Sequence, residues 1–414
     1  MADSDTEIVI LGGGAAGVAA ARRLHDAGVR CLIVEARKRL GGRAWTVNDG
    51  SGHALDLGCG WLHSADRNPW AEIAERQGRS IDKTRPPWER PSLEFNFPLA
   101  DQRDFLQAQN AFDERIDAIA EREPDGTAAA FLEAGCRWNE LMEAVSTYYS
   151  GATLDRISAH DLARYRDSNA NWRVVEGYGA TIAGHGSGLP VALDCAVHRI
   201  DHGGKRLAIE TAKGRITAAR AIVTLPTGIL AVQDLFTPAL PNKAAAAAGL
   251  PLGLADKLFL SLESAHEFPP DSRLFGRTDR RATGAYQLRP FGRPLIEAYF
   301  GGQLASDLEA DGERAFFDFA AAELAGILGS AFARRIKPIK VHCWRADPFA
   351  HGSYSYAMPG KADCRERLAA AVDDRLFFAG EACHRDQFST AHGAYLTGIA
   401  AAEQAISAHR RGRS

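Results

Sequence analysis

Apolar positions are densest near the start of the chain. Glu7-Ile-Val-Ile-Leu11 runs without polar alternation, the pattern of a strand buried in a parallel sheet. A glycine turn follows, then an alanine-rich helix to about Ala27, with Gly28 placed to end it in the left-handed conformation. Val29 to Glu35 predicts the next strand, so the chain opens as β-α-β. From about 67 to 175 the pattern changes. Prolines punctuate 86–98, and helical spacing then takes over. Within 131–149, Leu132, Cys136, Met142, Val145 and Tyr149 fall near one helical face, which predicts a helical insertion lying over another layer. Strand-like segments resume at 191–225, including Ala219 to Leu225, and a mixed stretch covers 252–345. A strand over Arg375 to Ala379 and a helix from about Thr390 to His409 close the chain. There is no internal repeat, low-complexity linker or long heptad run, so the domains are expected to interleave.

Composition narrows the class. A chain of 414 residues exceeds the size at which one core usually stops growing, so two domains are expected. Apolar residues make up 46% and charged residues 24%, enough for a real core. A net charge of −3 gives no strong pull toward nucleic acid or an anionic membrane. The basic tail, His409 to Arg413, reads as a solvated, frayed terminus. Cysteines stand at 31, 59, 136, 195, 343, 364 and 383, an odd number without a C-x-x-C pair. That argues against a disulfide scaffold or zinc site and for a reducing, cytosolic setting. The acidic opening Met-Ala-Asp-Ser-Asp-Thr-Glu is unlike a signal peptide, and Ile8 to Ala21 is too short and glycine-rich to span a membrane.

The chemistry begins in the first turn. Gly12-Gly13-Gly14-Ala15-Ala16-Gly17 fits G-x-G-x-x-G between a predicted strand and helix, the context this motif requires. Gly12 permits the turn, Gly14 lets a pyrophosphate approach the backbone, and Gly17 lets the helix pack close to the strand. The helix N-terminus, with Ala16 in its first turn, supplies free N–H groups to phosphate. Glu35 ends the second strand, where a carboxylate accepts ribose hydroxyls, and Ala36 and Arg37 follow it. Arg39-Leu40-Gly41-Gly42-Arg43 adds two glycines between guanidinium groups, suited to the same pyrophosphate.

From these motifs onward the chain resembles the flavin-containing amine oxidases: monoamine oxidases, polyamine oxidases and flavin histone demethylases. The match is strongest over 7–63, 172–262 and 342–406. It implies an α/β fold in which a Rossmann-like FAD-binding domain (1–75, 176–250 and 346–414) interleaves with an α+β substrate domain of mixed sheet and helices (76–175 and 251–345). Asp56-Leu-Gly-Cys-Gly-Trp-Leu-His63 resembles the family's loop beneath the flavin, with Gly60 and Trp61 at the cofactor and His63 near the substrate amine. Val175-Glu-Gly-Tyr-Gly179 resembles the glycine-rich return to the FAD domain, after which Val197 is similar to the residue whose backbone meets adenine. Pro251-Leu-Gly-Leu-Ala-Asp-Lys257 resembles the segment carrying the lysine near flavin N5. Strand alternation there puts Leu258, Leu260 and Leu262 on one face and Lys257, Phe259 and Ser261 on the other. A buried Lys257 needs a partner, and a flavin-bound water is the one expected.

Trp344-Arg-Ala-Asp-Pro-Phe-Ala-His-Gly-Ser-Tyr354 resembles polyamine oxidases and histone demethylases more than monoamine oxidases. It implies a cofactor contact at Trp344 and one wall of an amine cage at Tyr354. Phe378-Ala-Gly380-Glu381 is similar to the second FAD motif, with Glu381 accepting a ribityl hydroxyl. Ser389-Thr390-Ala391 opens the last helix, whose N–H groups would face flavin N1 and O2. Thr390 stands where monoamine oxidases have a second tyrosine, so the cage is half aromatic.

The resemblance therefore implies oxidation of a C–N bond of a small amine or polyamine. Hydride passes to flavin N5, the imine is hydrolysed, and dioxygen reoxidises the flavin with release of peroxide. Lys257, Tyr354, His63 and Thr390 are the candidate catalytic residues. The alternatives are a desaturase or L-amino-acid oxidase of the same superfamily, a flavin isomerase without net redox change, and a protein that keeps FAD without turnover. The absence of a long helical arm argues against a histone demethylase. Monoamine oxidases carry a flavin-linked cysteine at the position of Ser353, so FAD is expected to be non-covalent. Denaturing the purified protein is expected to release all of its flavin; a precipitate that stays yellow overturns the Ser353 argument.

Overall fold

The computed structural model describes residues 4–119, 124–232 and 234–411. The first strand, β1 (Ser4–Leu11), begins earlier than its apolar run because Ser4 to Thr6 already pair with Ile216 to Ala218. Ile8, Val9, Ile10 and Leu11 are wholly buried, as a strand covered on both faces must be. Helix α1 (Ala15–Asp26) returns the chain to β2 (Cys31–Val34), which pairs parallel with β1. Gly28 follows α1 with φ +71°, as its position predicts.

The large sheet has eight strands, and the chain enters it three times. The strand Gly214–Val223 pairs parallel with the other edge of β1, and Leu376–Phe378 pairs parallel with its second half. Val191–Ala192 extends the sheet beyond β2. Val197–Asp201, Leu207–Thr211 and the first half of Gly214–Val223 form an antiparallel meander. Strand order thus reverses at β1, and the crevice at its carboxyl end is the natural ligand position in an open α/β sheet.

The last helix, Ala391–Arg411, lies against α1 over one face of this sheet. Their interface is built from Ala16, Ala20, Ala21, Ala401, Ala402 and Ala405. The approach is close enough that a Cβ on Gly398 would sit 2.2 Å from the Ala16 carbonyl oxygen. The basic tail departs from expectation. The helix continues to Arg411, His409 is buried near Glu7, and only Gly412 to Ser414 lie outside the described residues. Met1 to Asp3 also lie outside them.

A second, five-stranded sheet is antiparallel throughout, in the order Ser272–Phe275, Ala285–Leu288, Leu295–Gly301, Ala255–Leu262, Ile336–Val341. Leu258, Leu260 and Leu262 join Phe316, Ala320 and Leu324 of the helix Glu313–Leu328 in one core. Lys257 and Phe259 take the opposite face, as strand alternation predicts. The helical insertion consists mainly of Leu99–Ile119 and Asn139–Ser150, packed through Phe105, Phe112, Trp138, Met142 and Val145. The expected helix over 131–149 starts only at Asn139; Leu132 and Cys136 precede it in irregular chain, and Tyr149 faces open space. No helix among the described residues is long and apolar enough to cross a membrane.

Glycine tolerance follows from these contacts. A Cβ at Gly17 would lie 1.9 Å from the Gly12 carbonyl oxygen, whereas one at Gly326, in an open helical position, meets nothing within 4 Å. Gly17→Val and Gly398→Val are each expected to cost upwards of ~3 kcal/mol in denaturant unfolding, as severe overpacking does. Gly326→Ala is expected to add up to ~1 kcal/mol. Equal effects at the three sites would refute the packing account.

Candidate active site

The glycine turn and the arginine–glycine loop form one surface. Gly12 adopts φ +106° and its N–H bonds the Val34 carbonyl. Gly41 donates to the Gly13 carbonyl, and at Gly42, which has φ +58°, a Cβ would crowd the Gly14 Cα at 3.1 Å. Gly14 caps α1 without a side-chain bond, leaving the first-turn N–H groups free for an anion. Buried Glu35 accepts from the Gly13 N–H (2.7 Å) and the Arg37 N–H (2.8 Å), one on each oxygen, so each oxygen keeps a lone pair. Ala36 lies half-buried between them. Arg37 pairs with Asp347, and the Arg39 guanidinium stands 4.4 Å from the Trp45 ring centroid. Burial, reinforced by Arg37, pushes Arg39 down to about 10 despite Glu35 and Asp347. Cys195 donates to the Glu35 carbonyl and Asp194 to that of Arg37, which brings Val197 past the same strand end.

A second cluster joins distant segments. Arg43 donates to the Ser353 carbonyl (2.7 Å) and to Glu381 Oε1 (2.9 Å). Glu381 Oε2 accepts from the Ser355 hydroxyl (2.6 Å) and the Ser389 N–H (3.1 Å). Burial alone would raise Glu381, but Arg43, Ser355 and Arg365 outweigh it and hold the carboxyl below its ordinary value. Arg365 in turn grips Asp161 through two bonds of 2.6 and 2.7 Å, both residues almost wholly buried. Glu381 was expected to serve a ribityl hydroxyl. Most of its lone pairs are taken by protein donors, and its first duty is to this network. Gly380 beside it has φ +146° and open space at its Cβ position.

Thr390 Oγ1 accepts from the Gly393 N–H (3.0 Å) while donating to the Gln387 carbonyl, so this hydroxyl caps the last helix. That use is an addition to the wall position expected of it. The Ala391 carbonyl accepts from Trp70 Nε1. His392, one residue further on, is buried with Nε2 unbonded, and burial together with His63 pushes its pKa down to about 3, so it is neutral. Trp344 is buried in the core beneath the second sheet, and its indole N–H holds the Leu57 carbonyl at 3.1 Å. Its visible role is to fix the 56–61 loop.

Against that loop stands Lys257. Its Nζ lies 2.8 Å from Glu297 Oε1 and 3.2 Å from the Asp56 carbonyl, and a Cβ on Gly60 would lie 3.0 Å from it. The partner expected for this lysine was a water; the structure gives it a carboxylate. Lys257 and Glu297 sit on neighbouring strands, two residues out of direct register, facing the same side. Burial alone would lower Lys257, but Glu297, with Tyr299 and Asp56, outweighs it and raises the pKa above the ordinary value. Asp56 is pushed up by burial, moderated by bonds from Thr46, the Tyr178 N–H and the Gly179 N–H. A small cavity lined by Asp56, Gly60, Trp61, Arg173, Lys257 and Glu297 opens beside the pair.

Tyr354 is positioned by the start of the Lys257 strand. Gly253 donates to its carbonyl, and the Ser353 hydroxyl bridges Ala255. Its phenol donates to the Tyr148 carbonyl and meets the Tyr299 hydroxyl, and burial raises its pKa well above the ordinary range. His63 lies across the site near Trp88, with Trp61 packed on Trp88 at 4.4 Å. His63 Nδ1 bonds Asn171 Oδ1 at 2.6 Å and lies 3.8 Å from Asp167 Oδ2, so Nδ1 is turned to these oxygens and Nε2 faces away from them.

With this geometry in place, comparison with known proteins assigns the class. The family described as flavin containing amine oxidoreductase matches residues 15–140 and 90–406, and the chain belongs to it. It is a flavin-dependent amine oxidoreductase that uses FAD. Polyamine oxidase 2 of Arabidopsis thaliana is 29% identical over 96% of this chain and 87% of its own length. Polyamine oxidase 3 of Oryza sativa subsp. japonica is also 29% identical, over 96% and 88%. Lysine-specific histone demethylase 1 homolog 2 of Arabidopsis thaliana is 26% identical over 97% of this chain but only 59% of its own length. The free first turn of α1, the close backbone approach of Gly42 to Gly14, and the open lone pairs of Glu35 fit the ADP half of that cofactor.

Sequence reasoning missed Glu297 and Tyr299. The signal was there: in Leu295-Ile-Glu-Ala-Tyr-Phe they alternate with residues that face the core. Removing the carboxylate while keeping the shape tests the pair. Lys257 stays charged through neutral pH, so its titration is not expected in the wild-type pH profile of flavin reduction. Glu297→Gln leaves the ammonium desolvated without a counter-charge, which lowers its pKa and brings a new break into the profile below the lysine's ordinary value. The broken pair is also expected to cost roughly 3–5 kcal/mol of stability. An unchanged profile with unchanged stability would show that the ion pair is idle.

Proposed function

We propose that the large sheet with α1 and the last helix is a Rossmann-like FAD-binding domain, formed by 1–75, 176–250 and 346–414. In this reading 76–175 and 251–345 form the substrate domain, and the chain oxidises a C–N bond of a small amine or polyamine with dioxygen as acceptor. The observation that carries it is that segments remote in sequence meet: Lys257 Nζ reaches the Asp56 carbonyl of the 56–63 loop, and Arg43, from the arginine–glycine loop, holds the Ser353 carbonyl next to Tyr354. The polyamine oxidases among its relatives support the substrate class.

FAD, when bound without a covalent link, supplies the two-electron acceptor. The protein's part is to bind, orient and desolvate. Gly12, Gly14, Gly17, Glu35, Gly42 and Arg43 would hold the dinucleotide, with Val197 at the adenine end and Gly380 and Ala391 at the ring end. Tyr354 presents an aromatic wall whose hydroxyl is tied to the Tyr148 carbonyl, so the ring cannot swing away from an amine. His63 Nε2 is free to accept a proton from a substrate ammonium and so leave the amine neutral for oxidation. Lys257 keeps a fixed positive charge beside Gly60, able to favour negative charge that develops nearby.

A peroxide-coupled screen of polyamines, acetylated polyamines, aryl amines and amino acids tests the reading, with anaerobic bleaching of the bound flavin as a second readout. No turnover and no bleaching across the panel would sink it. Lys257→Met is expected to slow reduction or reoxidation at least about 10-fold while FAD stays bound; wild-type rates would remove Lys257 from the mechanism.

A further inference from the structure

Among the described residues, most buried or half-buried cations around the site have a visible partner. Lys257 has Glu297, Arg43 has Glu381, Arg37 has Asp347, Arg173 has Asp82 and Asp271, and Arg365 has Asp161. Arg39 bonds a carbonyl and belongs to the dinucleotide surface. Arg273 is the exception. Among the described residues its guanidinium makes no ion pair and no hydrogen bond, and its one contact of note is the Phe275 ring, 4.0 Å from Cζ to centroid. It is half-buried; burial lowers its pKa, against which the phenols of Tyr149 and Tyr148 act.

The sheet places Arg273 in the row of the site. Arg273 pairs with Gln287, Gln287 with Glu297, and Glu297 with Phe259, so all four share the face that carries Lys257. The other face of these strands is the leucine-rich core. Tyr148 and Tyr149 close the space above Arg273 from the end of the helix Asn139–Ser150, and the Tyr148 carbonyl receives the Tyr354 hydroxyl. Tyr149 shows 56% of its surface, yet burial raises its phenol. Asp113, the carboxylate that acts on Tyr149, makes no ion pair with Arg273.

We propose that Arg273 is the subsite for an anionic group of the substrate, so the amine oxidised here carries a carboxylate at its far end. A guanidinium held without a partner is a fork of donors matched to a carboxylate. Its strand lies three strand spacings from that of Lys257, roughly 14 Å between backbones. The carboxylate and the reacting carbon are therefore joined by a chain of several atoms, as in an ω-amino carboxylate, and not by a single carbon as in an α-amino acid. This inference rests on the amine oxidase reading and sharpens its substrate.

The test pairs molecules that differ only at the far end: 1,6-diaminohexane against 6-aminohexanoate, with shorter and longer homologues, on the FAD-loaded enzyme. The ω-amino carboxylate is expected to have the lower KM. Arg273→Met is expected to raise that KM by about 10- to 100-fold, the loss of a charge-assisted pair, with kcat and the diamine nearly unchanged. Arg273→Lys is expected to recover part of it. A second readout needs no turnover: hexanoate should perturb the flavin absorbance of the wild type and not of Arg273→Met. Preference for diamines in the wild type, or equal losses on both substrates in the variant, overturns the proposal. If no amine reduces the flavin, the oxidase reading fails by itself. Hexanoate binding then decides the subsite: dependence on Arg273 supports it, and independence overturns it.

Discussion

The ion pair of Arg365 with Asp161 is the constraint on which the site depends. Two charges taken out of water are costly unless every bond is made, and here they nearly are. Arg365 uses both Nε and Nη2 on Asp161 and turns Nη1 to the Ser355 hydroxyl. Ser355 donates to Glu381, and Glu381 receives Arg43. A single line of charge and hydroxyl thus runs from the helical insertion, through the Tyr354 segment and the second cofactor motif, to the loop beside the first glycine turn. The Ser353 carbonyl, one residue before Tyr354, is fixed by the same Arg43. The cofactor surface and the amine wall therefore cannot shift independently.

The second sheet works by having unlike faces. One is leucine, isoleucine and phenylalanine, sealed by the helix Glu313–Leu328. The other carries Lys257, Glu297, Tyr299, Gln287 and Arg273, a polar face that few sheets bury. It is held by the Lys257–Glu297 ion pair, and by the Trp344 indole, which pins the 56–61 loop over it.

What could be read from the sequence follows from the range of the forces involved. The β1-α1-β2 unit was legible because its glycines are demanded by local geometry: Gly12 by its turn, Gly17 by the carbonyl beneath it. The leucine alternation after Lys257 was legible because strand period is local too. Glu297, Asp161 and Arg365 were not, since Asp161 and Arg365 lie 204 positions apart and Glu297 meets a lysine on another strand. Lys257 shows the boundary well. Its need for a partner could be argued from burial, but the identity of that partner depended on which strand lay beside it. The helix expected over 131–149 started late because apolar spacing alone does not show where irregular chain gives way to a helix.

The way the chain threads the large sheet has a consequence for synthesis. β1 emerges some two hundred residues before its neighbour Gly214–Val223, and the helix that seals α1 is made later still. A nascent chain therefore holds an apolar strand and an alanine-faced helix without their partners while the intervening residues are made. The nucleotide crevice is complete only after the helix Ala391–Arg411 has left the ribosome. Cofactor capture on this account waits for that helix, and the unfinished amino-terminal half is the stage at which a chaperone has something to hold.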